Sequence, residues 1–117
     1  MSVSGLHLTP IGNGAMLLEP SLALDVGNID AMLEDIVRGL QRTRSAQLYY
    51  DLEQLAIIEP LYYNWLNMLA RACHMVNVRM TCIHMQPTAA FALARYMERP
   101  PEFETGMEVD GWNRENK

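Results

Sequence analysis

Apolar positions along this chain switch between two periods, and the switches mark its elements. Leu6–Thr9 and Ala15–Glu19 are short apolar runs separated by Pro10-Ile11-Gly12-Asn13-Gly14. Gly and Asn accept positive φ, so Gly-Asn-Gly between two such runs predicts a β-hairpin. Ile29, Met32, Leu33, Ile36, Val37 and Leu40 then recur at helical spacing, with Asp30, Glu34, Asp35, Arg38 and Arg42 on the other side. This predicts an amphipathic helix whose stripe packs on a sheet. Asn28 is a candidate cap, and Asp30 faces the positive end of the helix dipole. After a polar link, Arg42–Ala46, the run Leu48-Tyr49-Tyr50 reads as a strand. It lies between two helical segments, which suggests a parallel crossover.

The second helical pattern opens at Pro60, where a missing N–H costs least. Tyr62, Trp65, Leu66, Leu69, Ala70, Cys73 and Val76 fall on one side of it. Leu61, Asn64, Met68, Arg71 and Met75 fall on another, flanked by Tyr63. Glu59 stands at or near the cap, where the dipole favours a carboxylate. Val78–His84 reads as a strand, ended by Gln86-Pro87. Thr88–Met97 is expected to be helical and slim through its alanines. Phe103–Val109 allows a last strand, and Gly111–Lys117 a polar tail or a final helical turn. The order is ββ-α-β-α-β-α-β. It predicts one α/β domain over residues 1–117, with its core at about 5–110 and a mixed β-sheet carrying helices mainly on one face.

Composition narrows the function classes. The chain has 117 residues, 50% hydrophobic and 20% charged, enough for one packed core. No apolar run approaches the roughly 20 residues of a membrane helix, so no membrane insertion is expected. The N-terminus shows no basic stretch followed by an apolar core, so no signal peptide is expected and a cytoplasmic protein is. The net charge is −5, and the nine Lys and Arg are scattered, which argues against nucleic acid. The acids thicken towards the C-terminus, as a solvated surface or an acidic docking patch.

Catalytic patterns are missing from the sequence. It has no GxxxxGK[ST], GxGxxG or GxSxG. Ser2, Ser4, Ser21 and Ser45 lie at the terminus or in turns without an evident His and acid partner. Asp51 with Glu53, and Glu34 with Asp35, suit surface or capping roles better than acid–base work. Cys73 and Cys82 sit inside apolar elements and are expected to be buried thiols. Cys73 and His74 are adjacent and point apart, and Cys82 and His84 share one strand face, so neither a metal site nor a cofactor is expected. What survives is the outer face of the helix opened by Pro60. Apolar and aromatic side chains beside an Arg suit a protein interface, and nine Met fit an adaptable packing surface. The same residues could instead line a second core layer.

Three stretches together resemble the STAS domain of bacterial anti-sigma-factor antagonists, and most of all the single-domain scaffold proteins of the stressosome. LYYDLEQLAIIEPLYYNWLNML, at Leu48–Leu69, is similar to that family's strand, turn and helix, where members carry an Asp-Ser or Ser-Ser pair at the helix start. VRMTCIHMQPTAAFALARYM, at Val78–Met97, resembles the next strand, loop and helix, and GAMLLEPSLALDVGNIDAMLEDIV, at Gly14–Val37, the second strand and first helix.

The resemblance implies a STAS-like sheet and binding rather than catalysis. Its implied partners are a serine/threonine switch kinase or another STAS protein, with self-association into a homo-oligomer. Together with the outer face of the Pro60 helix, it sets the partner surface within residues 52–71, at Glu59, Leu61, Tyr63, Asn64, Met68 and Arg71. The usual phosphoacceptor position is taken by Pro60, which has no hydroxyl, so the phosphate switch that would add about −1.5 to −2 charges is not available there. Glu59 matches the acid that commonly precedes the acceptor, or else acts as a permanent phosphate mimic. Two further functions are compatible with such a domain: a ligand-sensing module and an accessory subunit of a membrane transporter.

Overall fold

The structure is a computed structural model that describes residues 2–3, 6–22, 24–27, 29–95 and 97–109. Its six strands form one sheet in the order β1-β2-β3-β4-β5-β6. β1 (Ser2–Val3), β2 (Leu6–Gly12) and β3 (Ala15–Pro20) are antiparallel; β4 (Gln47–Asp51), β5 (Arg79–Ile83) and β6 (Glu104–Gly106) follow β3 in parallel. α1 (Asp30–Arg42), α2 (Pro60–Met75) and α3 (Pro87–Ala94) make the three crossovers. Each crossover moves to the next strand in the same direction, and such connections are right-handed, so all three helices fall on one face. This is the mixed sheet the apolar pattern predicts.

The register lines up the core. Met16 pairs with Leu48 and Leu48 with Met80; Leu18 pairs with Tyr50 and Tyr50 with Cys82. All six side chains are buried against the helices. Ile36 and Leu40 of α1 and Trp65, Leu66, Leu69, Ala70 and Cys73 of α2 close the other side of this core. Each fully buried large apolar side chain contributes about 1.5–3 kcal/mol of transfer free energy.

The hairpin turns where Gly-Asn-Gly predicts it, with φ of 90° at Gly12, 53° at Asn13 and 74° at Gly14. The Gly14 carbonyl then accepts from Ala46 N–H at 2.7 Å, which ties the turn to the start of β4. Pro10 is tolerated inside β2 because, among the described residues, β1 pairs with Leu6 and His7 and none pairs with the far side of Pro10.

Several boundaries differ from the sequence reading. β5 ends at Ile83, and His84 takes φ 59°, so His84 leaves the strand instead of sharing a face with Cys82. α3 stops at Ala94 rather than Met97 and buries Ala89 and Leu93, while Ala90 and Ala94 stay exposed. The last strand is only Glu104–Gly106, because Phe103 turns into the core. β1 was not expected, since two residues carry no period. The Asn28 cap and the Gly111–Lys117 tail lie outside the described residues. Ile29 stands at the N-cap without a side-chain bond, and its carbonyl accepts from Leu33 N–H at 2.8 Å.

Candidate functional site

The loop from β4 to α2 crosses the carboxyl ends of the parallel strands, the usual place for partners in open α/β sheets. Two buried side chains, Leu52 and Ile58, anchor it at each end. Leu52 N–H donates to the Ile83 carbonyl at 2.9 Å. The side chains of Gln86 and Thr88 donate to the carbonyls of Glu53 and Ala56, stapling the loop to the one that opens α3. The loop therefore reaches α2 with its backbone held. Glu59 is the N-cap in extended conformation with no side-chain cap bond, and Pro60 occupies the first turn.

This geometry displays apolar groups. Ile57 is 61% exposed and Leu61 56%, and Leu22, from the β3–α1 loop, is 77% exposed. All three line one shallow cavity of about 220 Å³, floored by Leu24, Leu55 and Tyr62. Exposed apolar side chains gathered in one place are candidates for an interaction surface.

Behind the surface runs a chain of hydrogen bonds. Trp65 Nε1–H donates to Tyr50 Oη at 2.9 Å, and the hydroxyls of Tyr50 and Tyr62 lie 2.6 Å apart. The Tyr50 and Tyr62 rings meet edge to face at 6.4 Å. Burial pushes the Tyr50 hydroxyl well above its ordinary pKa and that of Tyr62 up to about 12, so both stay protonated. Burial likewise raises the Cys73 thiol to about 12 and the Cys82 thiol upward, so neither offers a thiolate.

The predicted partner residues are divided between two hollows. Glu59 and Leu61 border the apolar cavity. Tyr63, Asn64 and Arg71 border a polar groove of about 660 Å³ between α2 and residues 98–102, with Pro60 at its end. Asn67 Oδ1 accepts from Glu102 N–H at 2.8 Å and braces that groove. Tyr63 is half-buried, its ring edge-to-face with Phe103 at 6.1 Å. Asn64 Nδ2 donates to Met68 Sδ at 3.4 Å, one turn along the helix, and Met68 is half-buried. Leu22 and Ile57 were missed in the sequence, where each is a single apolar residue in a loop. A second juxtaposition was also missed: His84 Nδ1 lies 3.1 Å from Asp51 Oδ1, across the ends of β4 and β5.

No family model matches the chain, and neither does any curated protein. Solved structures do. A serine-to-glutamate variant of RsbS from Moorella thermoacetica superposes with a TM-score of 0.71, covering 94% of this chain and 92% of its own, at 11% identity. The NMR structure of the protein TM1081 gives 0.70 over 91% and 84%, at 9% identity. The anti-sigma factor antagonist SpoIIAA in its unphosphorylated form gives 0.58 over 95% and 96%, at 12% identity. At such identities the likeness is one of fold, and the fold is that of a STAS domain. No helix among the described residues is long and apolar enough to cross a membrane.

Proposed function

We propose that this STAS-fold chain is a non-catalytic protein-binding module that docks a regulatory partner at the start of α2 and holds one fixed state. The observation that carries the reading is the trio Leu22, Ile57 and Leu61, exposed around one cavity beside Pro60. Large apolar groups at the centre of a patch, rimmed by polar ones, are the usual energetic anchors of protein interfaces. The apolar cavity is smaller than the roughly 300–1,000 Å³ of small-molecule pockets, which favours docking at the trio itself, while the polar groove of about 660 Å³ beside it falls within that range. The fold neighbours lend support: one is named as an anti-sigma factor antagonist in an unphosphorylated form, and another was solved with glutamate in place of a serine. The partner class that fits is a serine/threonine switch kinase or another STAS protein. Glu59, Leu61, Tyr63, Asn64, Met68 and Arg71 form the continuing rim along α2.

The fixed state rests on Pro60. It has no hydroxyl; of the tyrosines that follow it on the helix, Tyr62 has its hydroxyl bonded to Tyr50, and Tyr63 has its ring packed on Phe103. Self-association through the same apolar face belongs to this reading.

The test is capture of partners from the native cell by wild type, Ile57→Asp, Leu61→Asp and Met107→Asp. Met107 is 87% exposed, lies after β6 away from α2, and serves as the control. The first two variants are expected to lose the partner that wild type and Met107→Asp retain. Equal capture by all four sinks the docking assignment. Incubation of the complex with ATP, followed by mass spectrometry, tests the fixed state separately: stoichiometric phosphate on residues 59–63 refutes it. Light scattering tests self-association, and a monomer at every concentration counts against a scaffold.

A further inference from the structure

The carboxyl ends of β4 and β5 bring together three side chains that the docking surface does not use. We propose that Asp51, Glu53 and His84 bind one divalent transition-metal ion. Parallel register sets Asp51 beside Ile83, so His84, the next residue, emerges next to Asp51. Its Nδ1 lies 3.1 Å from Asp51 Oδ1. The backbone of Glu53 is fixed beside this pair, because its N–H donates to the same Asp51 oxygen at 2.9 Å. One ligand atom from each of the three residues then lies within 4.8 Å of the others.

These separations suit a shared ion. Two ligands about 2.1 Å from a metal and about 90° apart are about 3.0 Å from each other, close to the Asp51–His84 separation. Glu53 is exposed, and rotation of its side chain closes the remaining gap. The backbone beneath is already held by the Leu52–Ile83 bond and by Gln86 on the Glu53 carbonyl. A plain Asp–His pair explains two of the groups and leaves the third carboxylate beside them. Among the described residues neither carboxylate is paired with Arg or Lys, so two negative charges converge on a single imidazole. A bound cation neutralises both.

The donor set selects the ion. Two carboxylate oxygens and one imidazole nitrogen suit Mn²⁺, Fe²⁺, Co²⁺ or Zn²⁺. Ca²⁺ calls for about six to eight oxygens, more than this site supplies. The remaining positions face solvent, since Glu53 and His84 are exposed.

The experiment uses untagged full-length protein stripped with a chelator. It is titrated with ZnCl₂ and MnCl₂ by calorimetry, and with CoCl₂ by visible absorption. One saturable site is expected. His84→Ala and Glu53→Gln are expected to weaken it at least ~tenfold while leaving the circular dichroism unchanged. Asp51→Asn can keep the Glu53 turn through its amide oxygen but alters the contact with His84, so the two exposed positions carry the test. Absence of saturable binding for all three metals overturns the proposal, and so does wild-type affinity in either variant.

Discussion

The indole N–H of Trp65 donates to the hydroxyl of Tyr50 at 2.9 Å, joining the middle of α2 to the central strand of the sheet. Both side chains are fully buried, so this bond has no water to replace it. Tyr50→Phe keeps the ring and removes the acceptor. It leaves a buried donor unpaired, at a cost of about 1–3 kcal/mol. In a domain of this size each kcal/mol lowers Tm by about 4 °C. Tyr62→Phe should cost less, because the half-buried Tyr62 hydroxyl lies nearer solvent. Thermal unfolding followed by circular dichroism decides it; equal Tm values for wild type and Tyr50→Phe would show that Trp65 finds another acceptor.

Alkali should destabilise the fold. Burial raises Cys73 from 9.0 and Tyr62 from 10.0 to about 12 each, with Tyr50 and Cys82 shifted in the same direction. All four are neutral when protonated, so above about pH 9 the unfolded chain has lost protons that the folded chain keeps. The stabilisation is fully present below the unfolded-state values and is lost as pH climbs from about 9 to 12. The urea midpoint should be flat from neutral to about pH 8 and lower by about pH 10.5. A midpoint independent of pH across that window would contradict the burial of these groups.

The same burial governs thiol chemistry. Cys73 and Cys82 are free and sit in the core, so iodoacetamide at about pH 8 should leave both unmodified in the native protein and label both in denaturant. Rapid native labelling of either thiol would place it at the surface.

Gly14 should resist substitution by L-residues other than Asn or Asp. Its φ is 74°, and a Cβ there would meet nothing nearer than Ala46 N at 3.9 Å, so the obstacle is backbone conformation rather than space. Gly14→Ala is expected to cost about 1–2 kcal/mol, the penalty of the left-handed region. Chemical denaturation measures it. A neutral effect would show that the hairpin turn relaxes freely, against the bond from Ala46 N–H to the Gly14 carbonyl.

What lies within a few residues was legible from the chain. Gly12-Asn13-Gly14 turns the hairpin because positive φ is a property of those residues themselves. Pro60 and Pro87 begin helices because a residue without an N–H fits the first turn. The α1 stripe of Met32, Ile36 and Leu40 is buried because period 3.6 is written in order along the sequence. That a proline, Pro60, stands at the start of α2 was likewise visible directly.

The tertiary structure alone decided which distant residues meet. Leu22 and Ile57 are 35 positions apart and carry no period, yet loops from two strand ends set them beside Leu61 around one cavity. His84 faces Asp51 across 33 positions because β4 and β5 pair in parallel and β5 stops one residue before it. The outer face of α2, continuous in sequence, is divided between an apolar cavity and a polar groove by the chain segments packed on either side. Propensity and periodicity act over one or two turns of chain, whereas strand register and loop closure bring together residues that share no local pattern.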